Sequence, residues 1–444
     1  MTMRVLSVSP AQPSRTTNAA VVYGRIEKRA LLFFSLLAVA STAFSQTSEQ
    51  SAGQTEQSSV SSLADMITQG KVNLNFRYRY EYVDQDGFDR DAKASTLRSR
   101  LTAESGNWKG ISLLGEVDNV TYLGSEKFNN TDNGKTNYPV VADPEGTDLN
   151  QLLISYTGVE AKGTYGRQRM LHGNQRFVGG VAWRQNEQTY DGLRAVWTPD
   201  ASGLSIDYAY VYNVNRLFGP DDTNVQPADL SGDNHFLRLD YQLSAPHTVT
   251  AFAYLLDVED RERFGSDKSV DNSTDTYGVE YAGSWGPVKL DAAYAWQTDA
   301  GDSGLDYAAS YYRAEVKSTF SGVTGRLGYE VLGSDNSVGF KTPYATLHKF
   351  QGWADLFLTT PEDGIEDLYL GLSGSWGRLA LEAVYHDFQA ESGSADFGSE
   401  IDLMAGWRFN DVIGVQLHYA DFSTDSPSRF ADTRKAWFTL SLAL

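Results

Sequence analysis

The feature that most constrains this chain is a period of two in its apolar residues. Val72, Leu74, Phe76, Tyr78, Tyr80 and Tyr82 alternate with Asn73, Asn75, Arg77, Arg79 and Glu81. Successive side chains of a strand point to opposite faces, so this spacing builds a strand with one apolar and one polar face. The pattern returns at Leu204, Ile206, Tyr208, Tyr210 and Tyr212, at Val288, Leu290, Ala292, Tyr294 and Trp296, and at Ile401, Leu403, Ala405, Trp407 and Phe409. The chain closes on Phe438, Leu440, Leu442 and Leu444. Each run lasts about ten residues, the length a tilted strand needs to cross a bilayer. The aromatics gather near the ends of the runs, where an interfacial girdle would sit. A water-soluble sheet would need a second layer to cover so many outward Tyr, Leu and Trp side chains.

The connections between runs are of two alternating kinds. Segments 106–110, 199–203, 244–247, 283–287, 374–377 and 409–412 are tight, whereas 84–93, 124–148, 217–233, 260–272 and 333–363 are long and rich in Asp, Asn, Gly and Ser. Short turns on one side of a membrane and long loops on the other are the outer-membrane pattern, with turns in the periplasm. The reading is therefore an all-β protein over residues 71–444. It is a transmembrane antiparallel β-barrel of about 18 strands with long extracellular loops, short periplasmic turns and both termini in the periplasm.

Residues 1–45 read as a cleaved signal peptide. Arg25, Lys28 and Arg29 precede an apolar run from Ala30 to Ala40, and small residues follow at Ala43 and Ser45. Residues 46–70 are mostly Ser, Gln, Thr and Glu at first and read as a disordered periplasmic lead-in. The expected location is the outer membrane of a Gram-negative cell, with lipid, lipopolysaccharide and the barrel-assembly machinery as partners. Beyond the signal no apolar run approaches the roughly 20 residues of a membrane helix, which excludes a helical inner-membrane protein.

Charge and chemistry narrow the function further. The formal charge is -20, and the first 45 residues are net basic, so the remainder is more acidic still. Such a surface repels nucleic acid. The absence of cysteine removes disulfides, thiolate nucleophiles and Cys metal sites. The six histidines make no HExxH or comparable ligand spacing, and no motif joins a serine to a histidine, so no catalytic residue and no cofactor are assigned. Carboxylates at Asp84, Asp86, Asp89 and Asp91 have calcium-like spacing but lack the downstream Glu of an EF-hand, and read as a solvated loop.

If the apolar face meets lipid, the polar face lines the lumen. That face carries Arg77, Arg79, Arg98, Arg100, Arg194, Arg238, Arg313 and Arg326, with Lys289, Lys317 and Arg408. It also carries as many acids, among them Glu81, Glu116, Asp118, Asp207, Glu280, Glu315, Glu330, Glu382 and Asp402. Two readings stay open. The arginines form a ladder that guides an anionic solute, or they pair with the acids and stiffen the wall.

Several segments resemble the alginate export family of outer-membrane porins. They are Tyr165-Gly166-Arg167-Gln168-Arg169-Met170 with Gln175-Arg176-Phe177, the run from Trp183-Arg184-Gln185 to Tyr190-Asp191-Gly192, the run from Phe340-Lys341-Thr342 to Gly352-Trp353-Ala354-Asp355, and Tyr385-His386-Asp387-Phe388. The likeness runs from about Val72 to the C-terminus. It implies a monomeric barrel that passes an anionic polyuronate through an Arg-lined pore, with Arg167, Arg169, Arg176, Arg184 and Arg194 near the outer mouth. The expected function is passive passage of hydrophilic, anionic solutes such as alginate-like polyuronates. The alternatives are a general diffusion porin of weak selectivity and an outer-membrane barrel enzyme. Loops 124–148 and 333–363 are expected to set the constriction.

Overall fold

The computed structural model describes residues 60–124, 126–199, 202–221, 227–259 and 272–444. The signal peptide, most of the lead-in and most of the 260–272 connection lie outside these residues. Among the described residues eighteen strands form one closed antiparallel sheet. They are β1 (Lys71–Gln85), β2 (Ala92–Glu104), β3 (Ile111–Tyr122), β4 (Gly146–Thr157), β5 (Ala161–Gln168), β6 (Thr189–Trp197), β7 (Leu204–Asn215), β8 (Asp229–Ser244), β9 (His247–Leu256), β10 (Thr274–Trp285), β11 (Val288–Asp299), β12 (Ala308–Phe320) and β13 (Val323–Leu332), then β16 (Ile365–Trp376), β17 (Leu379–Gln389), β18 (Asp396–Arg408), β19 (Ile413–Thr424) and β20 (Thr433–Ala443). The two-residue strands β14 (Ser334–Asp335) and β15 (Val338–Gly339) make a separate hairpin between β13 and β16.

Closure comes from β1, which pairs with β2 from Lys71↔Glu104 to Val83↔Ala92 and with β20 from Asn75↔Ala443 to Gln85↔Thr433. No barrel edge is left to present unpaired backbone groups to lipid. The period-two pattern orients the wall. Leu74 and Tyr80 are 39% and 38% exposed on the outside, whereas Arg77 and Arg79 are 4% and 3% exposed on the inside. Trp197, Tyr208, Trp285, Tyr294, Trp296 and Trp407 also stand exposed on the outer surface. The protein is a transmembrane β-barrel with its long connections at the end opposite the start of β1 and the end of β20.

The lumen is less uniformly polar than the alternation alone implied. Towards their outer ends the strands turn Val211, Phe236, Phe252, Tyr311, Phe388 and Phe422 inward. Against these pack Phe177, Phe340, Tyr344 and Phe357 from connections that fold back into the barrel. Each such ring withdraws enough apolar surface from water to stabilise the arrangement by about 1.5–3 kcal/mol. A smaller apolar cluster holds the 123–145 connection, where Phe128 and Val141 pack on Val83, Ala92 and Ala94.

One expectation is corrected. The lead-in read as disordered contains an ordered stretch at its end, the helix α1 (Leu63–Thr68). Ser62 caps it by accepting from the Asp65 amide at 3.1 Å. Met66 is buried, and its carbonyl accepts from the Gly106 amide at 2.8 Å, which docks the helix on the β2–β3 turn. One apolar residue at the right distance from a cap suffices here, a signal too short to register as a periodic pattern.

Candidate functional site

Two connections fold into the barrel and meet. The first, residues 169–188, joins β5 to β6, and the second, residues 333–364, joins β13 to β16. The Gly179 amide donates to the Tyr344 carbonyl at 2.8 Å and the Thr346 amide to the Gln175 carbonyl at 3.0 Å. Side chains join them as well. The Trp183 indole stacks on the His348 imidazole, with centroids 4.0 Å apart and planes at 14°.

The first connection is fastened to β1, β2 and β3. Arg77 donates to Gln185 Oε1 at 3.0 Å, to the Ala182 carbonyl at 2.8 Å and to the Arg184 carbonyl. Arg79 donates to the Trp183 carbonyl and lies over its ring at 4.3 Å. Arg184 reaches Glu81 at 2.8 Å. Glu187, almost fully buried, is held by Arg100 at 2.6 Å, by Arg98 at 3.8 Å and by Arg169. Burial works against the Glu187 charge. Arg100, Arg169 and Arg98 outweigh it and hold the carboxyl well below its ordinary range.

The second connection is fastened to β13, β18 and β20. Glu400 accepts from the Ala354 amide at 2.7 Å and Asp402 from the Trp353 amide at 3.2 Å. Gln351 donates to Glu330. Gly352 has φ +79, and a Cβ there would meet the Glu400 carboxylate at 2.3 Å, so only glycine lets the chain approach this closely. Asp355 accepts from Lys435 at 2.8 Å and pairs with His348 Nδ1 at 2.7 Å.

Beneath this roof lies a vestibule of about 830 Å³, bounded below by the 409–412 turn. Its lining includes Arg313, Lys317 and Arg326 from β12 and β13, and Lys349 from the roof. Lys317 pairs with Glu315 at 2.6 Å and Arg326 with Glu382 at 2.8 Å. Lys349 Nζ donates to the Asn174 carbonyl at 3.1 Å, and among the described residues no carboxylate lies within ion-pair distance of it. The surrounding protein, and then the charges of Lys317 and Arg313, push the Lys349 ammonium below its ordinary pKa.

Of the twelve arginines singled out in the sequence, Arg77, Arg79, Arg313 and Arg326 line the vestibule. Arg98, Arg100, Arg169 and Arg184 sit in the ion network that secures the first connection. Arg176 meets Glu330 at 3.1 Å under the roof and lies over Phe350. Arg167 pairs with Asp191 at 2.9 Å, Arg194 with Asp207 at 2.5 Å and Arg238 with Glu280 at 2.8 Å, each along the wall. Lys349, Trp183 and His348 have roles that residue-type reasoning missed, although all three fall inside the family-like segments. Among the described residues no group of three or more His, Asp or Glu could hold a metal ion.

The family model described as "Alginate export" matches residues 52–334. Among solved structures, OccAB2 of Acinetobacter baumannii superposes with a TM-score of 0.65 at 15% identity, covering 86% of this chain and 99% of that one. OpdQ of Pseudomonas aeruginosa does so with a TM-score of 0.63 at 14% identity, covering 86% and 99%. OccK9 (OpdG) of the same species has a TM-score of 0.63 at 16% identity, covering 85% and 100%. At these identities the likeness is one of fold. No curated protein matches the chain in sequence.

Proposed function

This chain belongs to the alginate export family and is an outer-membrane channel, and from that premise we propose that it passes hydrophilic anionic solutes, alginate-like polyuronates among them, by way of the vestibule. The observation that carries the reading is Lys349, a roof ammonium with no carboxylate within ion-pair distance among the described residues, above a cavity wall where Arg313, Lys317 and Arg326 alternate with Glu315, Glu330 and Glu382. A charge without a counter-charge, at the edge of a water-filled cavity with low-dielectric walls, concentrates ions of the opposite sign. Passage is passive and uses no cofactor, and the channel works as a monomer among lipopolysaccharide after insertion by the assembly machinery.

The extent of ion pairing favours a second reading. Arg100, Arg167, Arg184, Arg194, Arg238 and Arg326 each have a carboxylate within 3 Å. A wall so neutralised suits a general diffusion porin. Reversal potential in a planar bilayer under a salt gradient, with oligouronates added, separates the two. Anion preference with block by the oligomers supports the proposal. Conductance of weak selectivity without block replaces it with the general porin. Absence of conductance would favour a barrel enzyme, for which the buried His386–Asp367 pair at 2.9 Å is the first base to test.

A further inference from the structure

The two inward connections are bonded to each other as well as to the wall. Backbone bonds join 179 to 344 and 175 to 346, Lys349 reaches Asn174, and Trp183 lies flat on His348. The same stretches hold six non-glycine residues in the left-handed region, Gln175 at φ 68, Val181 at φ 51, Asn336 at φ 50, Ser337 at φ 62, Gln351 at φ 50 and Asp355 at φ 62. For β-branched Val181 that conformation is a true outlier. It persists only where surrounding contacts over-determine it.

Each end of the Trp183–His348 stack has its own hold on the barrel. Arg79 covers Trp183 on the β1 side, and His418 and Trp437 meet its edge at 5.0 and 5.5 Å. His348 leans on Asp355, which Lys435 of β20 grips. The stack is thus where the two connections and the wall come together. From this we infer that the roof is a single gate, in which the Trp183–His348 clasp couples residues 169–188 to residues 333–364 so that both leave the lumen as one body. The inference needs only that the protein is a channel and does not depend on which solute it passes.

Single-channel recording in potassium chloride tests it. The wild-type protein should show one all-or-none conductance step under voltage. Trp183→Ala and His348→Ala should each split that step into two independent sublevels, because the connections then move separately. Trp183→Phe, which keeps a stacking ring, should retain the single step. The inference fails if Trp183→Ala and His348→Ala both keep the single step, if the wild-type protein already shows two independent levels, or if no step is seen in any variant. Heat-modified gel mobility verifies that each variant has formed a barrel. Selectivity plays no part in this readout, so a weakly selective channel would sink the polyuronate reading and leave the gate standing.

Discussion

The walls at β1–β2 and at β12–β13 are written in the same code and used differently. Each carries cations directly opposite one another on the inward face, Arg77 with Arg98 in one and Lys317 with Arg326 in the other. In the first wall Arg77, Arg79 and Arg98 are buried under residues 182–187 and are occupied in holding them. In the second wall the cations look into the vestibule, with Arg326 and Lys317 about a third exposed. An inward arginine is therefore a loop anchor or is open to the lumen according to whether a loop lies over it.

The largest effect expected separates these two uses. Arg100→Ala strips a buried partner from both Asp118 and Glu187, which should cost about 3–5 kcal/mol and appear as lost heat resistance on a gel. Arg326→Ala, at a half-open site, should leave assembly nearly intact and shift the reversal potential away from anions. If the two variants behave alike, the contrast between the walls is wrong. Both walls rest on a common lipid face. Ile206→Arg or Leu290→Arg should impair assembly by roughly 2–4 kcal/mol if the site is at midplane, and wild-type heat resistance in either would overturn the face assignment.

Acidity probes the hold on the first connection through Glu187. The Glu187 carboxyl is held below its ordinary range, so its contribution is complete above the unfolded value of about 4.3 and is lost only as pH falls through the lower folded value. Urea sensitivity of the channel's conductance should therefore stay flat from neutral pH to about pH 5 and rise below the usual carboxylate range. Glu187→Gln should make that rise smaller. The smallest structural effect belongs to Lys349→Gln, which should change stability by about 0.5 kcal/mol or less while reducing anion preference. Unchanged preference would remove Lys349 from the solute's path.

Much of the barrel was legible in the sequence because a membrane enforces it locally. Val72 to Tyr82 must alternate, since every second side chain meets lipid, and the strand ends must turn tightly on one side. The 20-residue connection from β5 to β6 was not read as a loop, because it lacks Asp and carries apolar Met170, Phe177 and Val178. Those residues are apolar because they pack inward on Phe252 and Tyr311, a partnership invisible until both are placed in one lumen.

By itself, then, the sequence determined the strands, the face each turns to lipid, the even closure and the population of inward charge, since all of these follow from a repeat of two residues and the length of a bilayer crossing. Which inward charges meet water was decided only by tertiary structure. That outcome depends on two connections folding back from different parts of the chain, covering Arg98, engaging Arg77 and Arg79 at the vestibule's edge, and leaving Lys317, Arg326 and Lys349 open to it. Spacing along a strand fixes direction; burial by a distant loop is a long-range contact that no local pattern encodes.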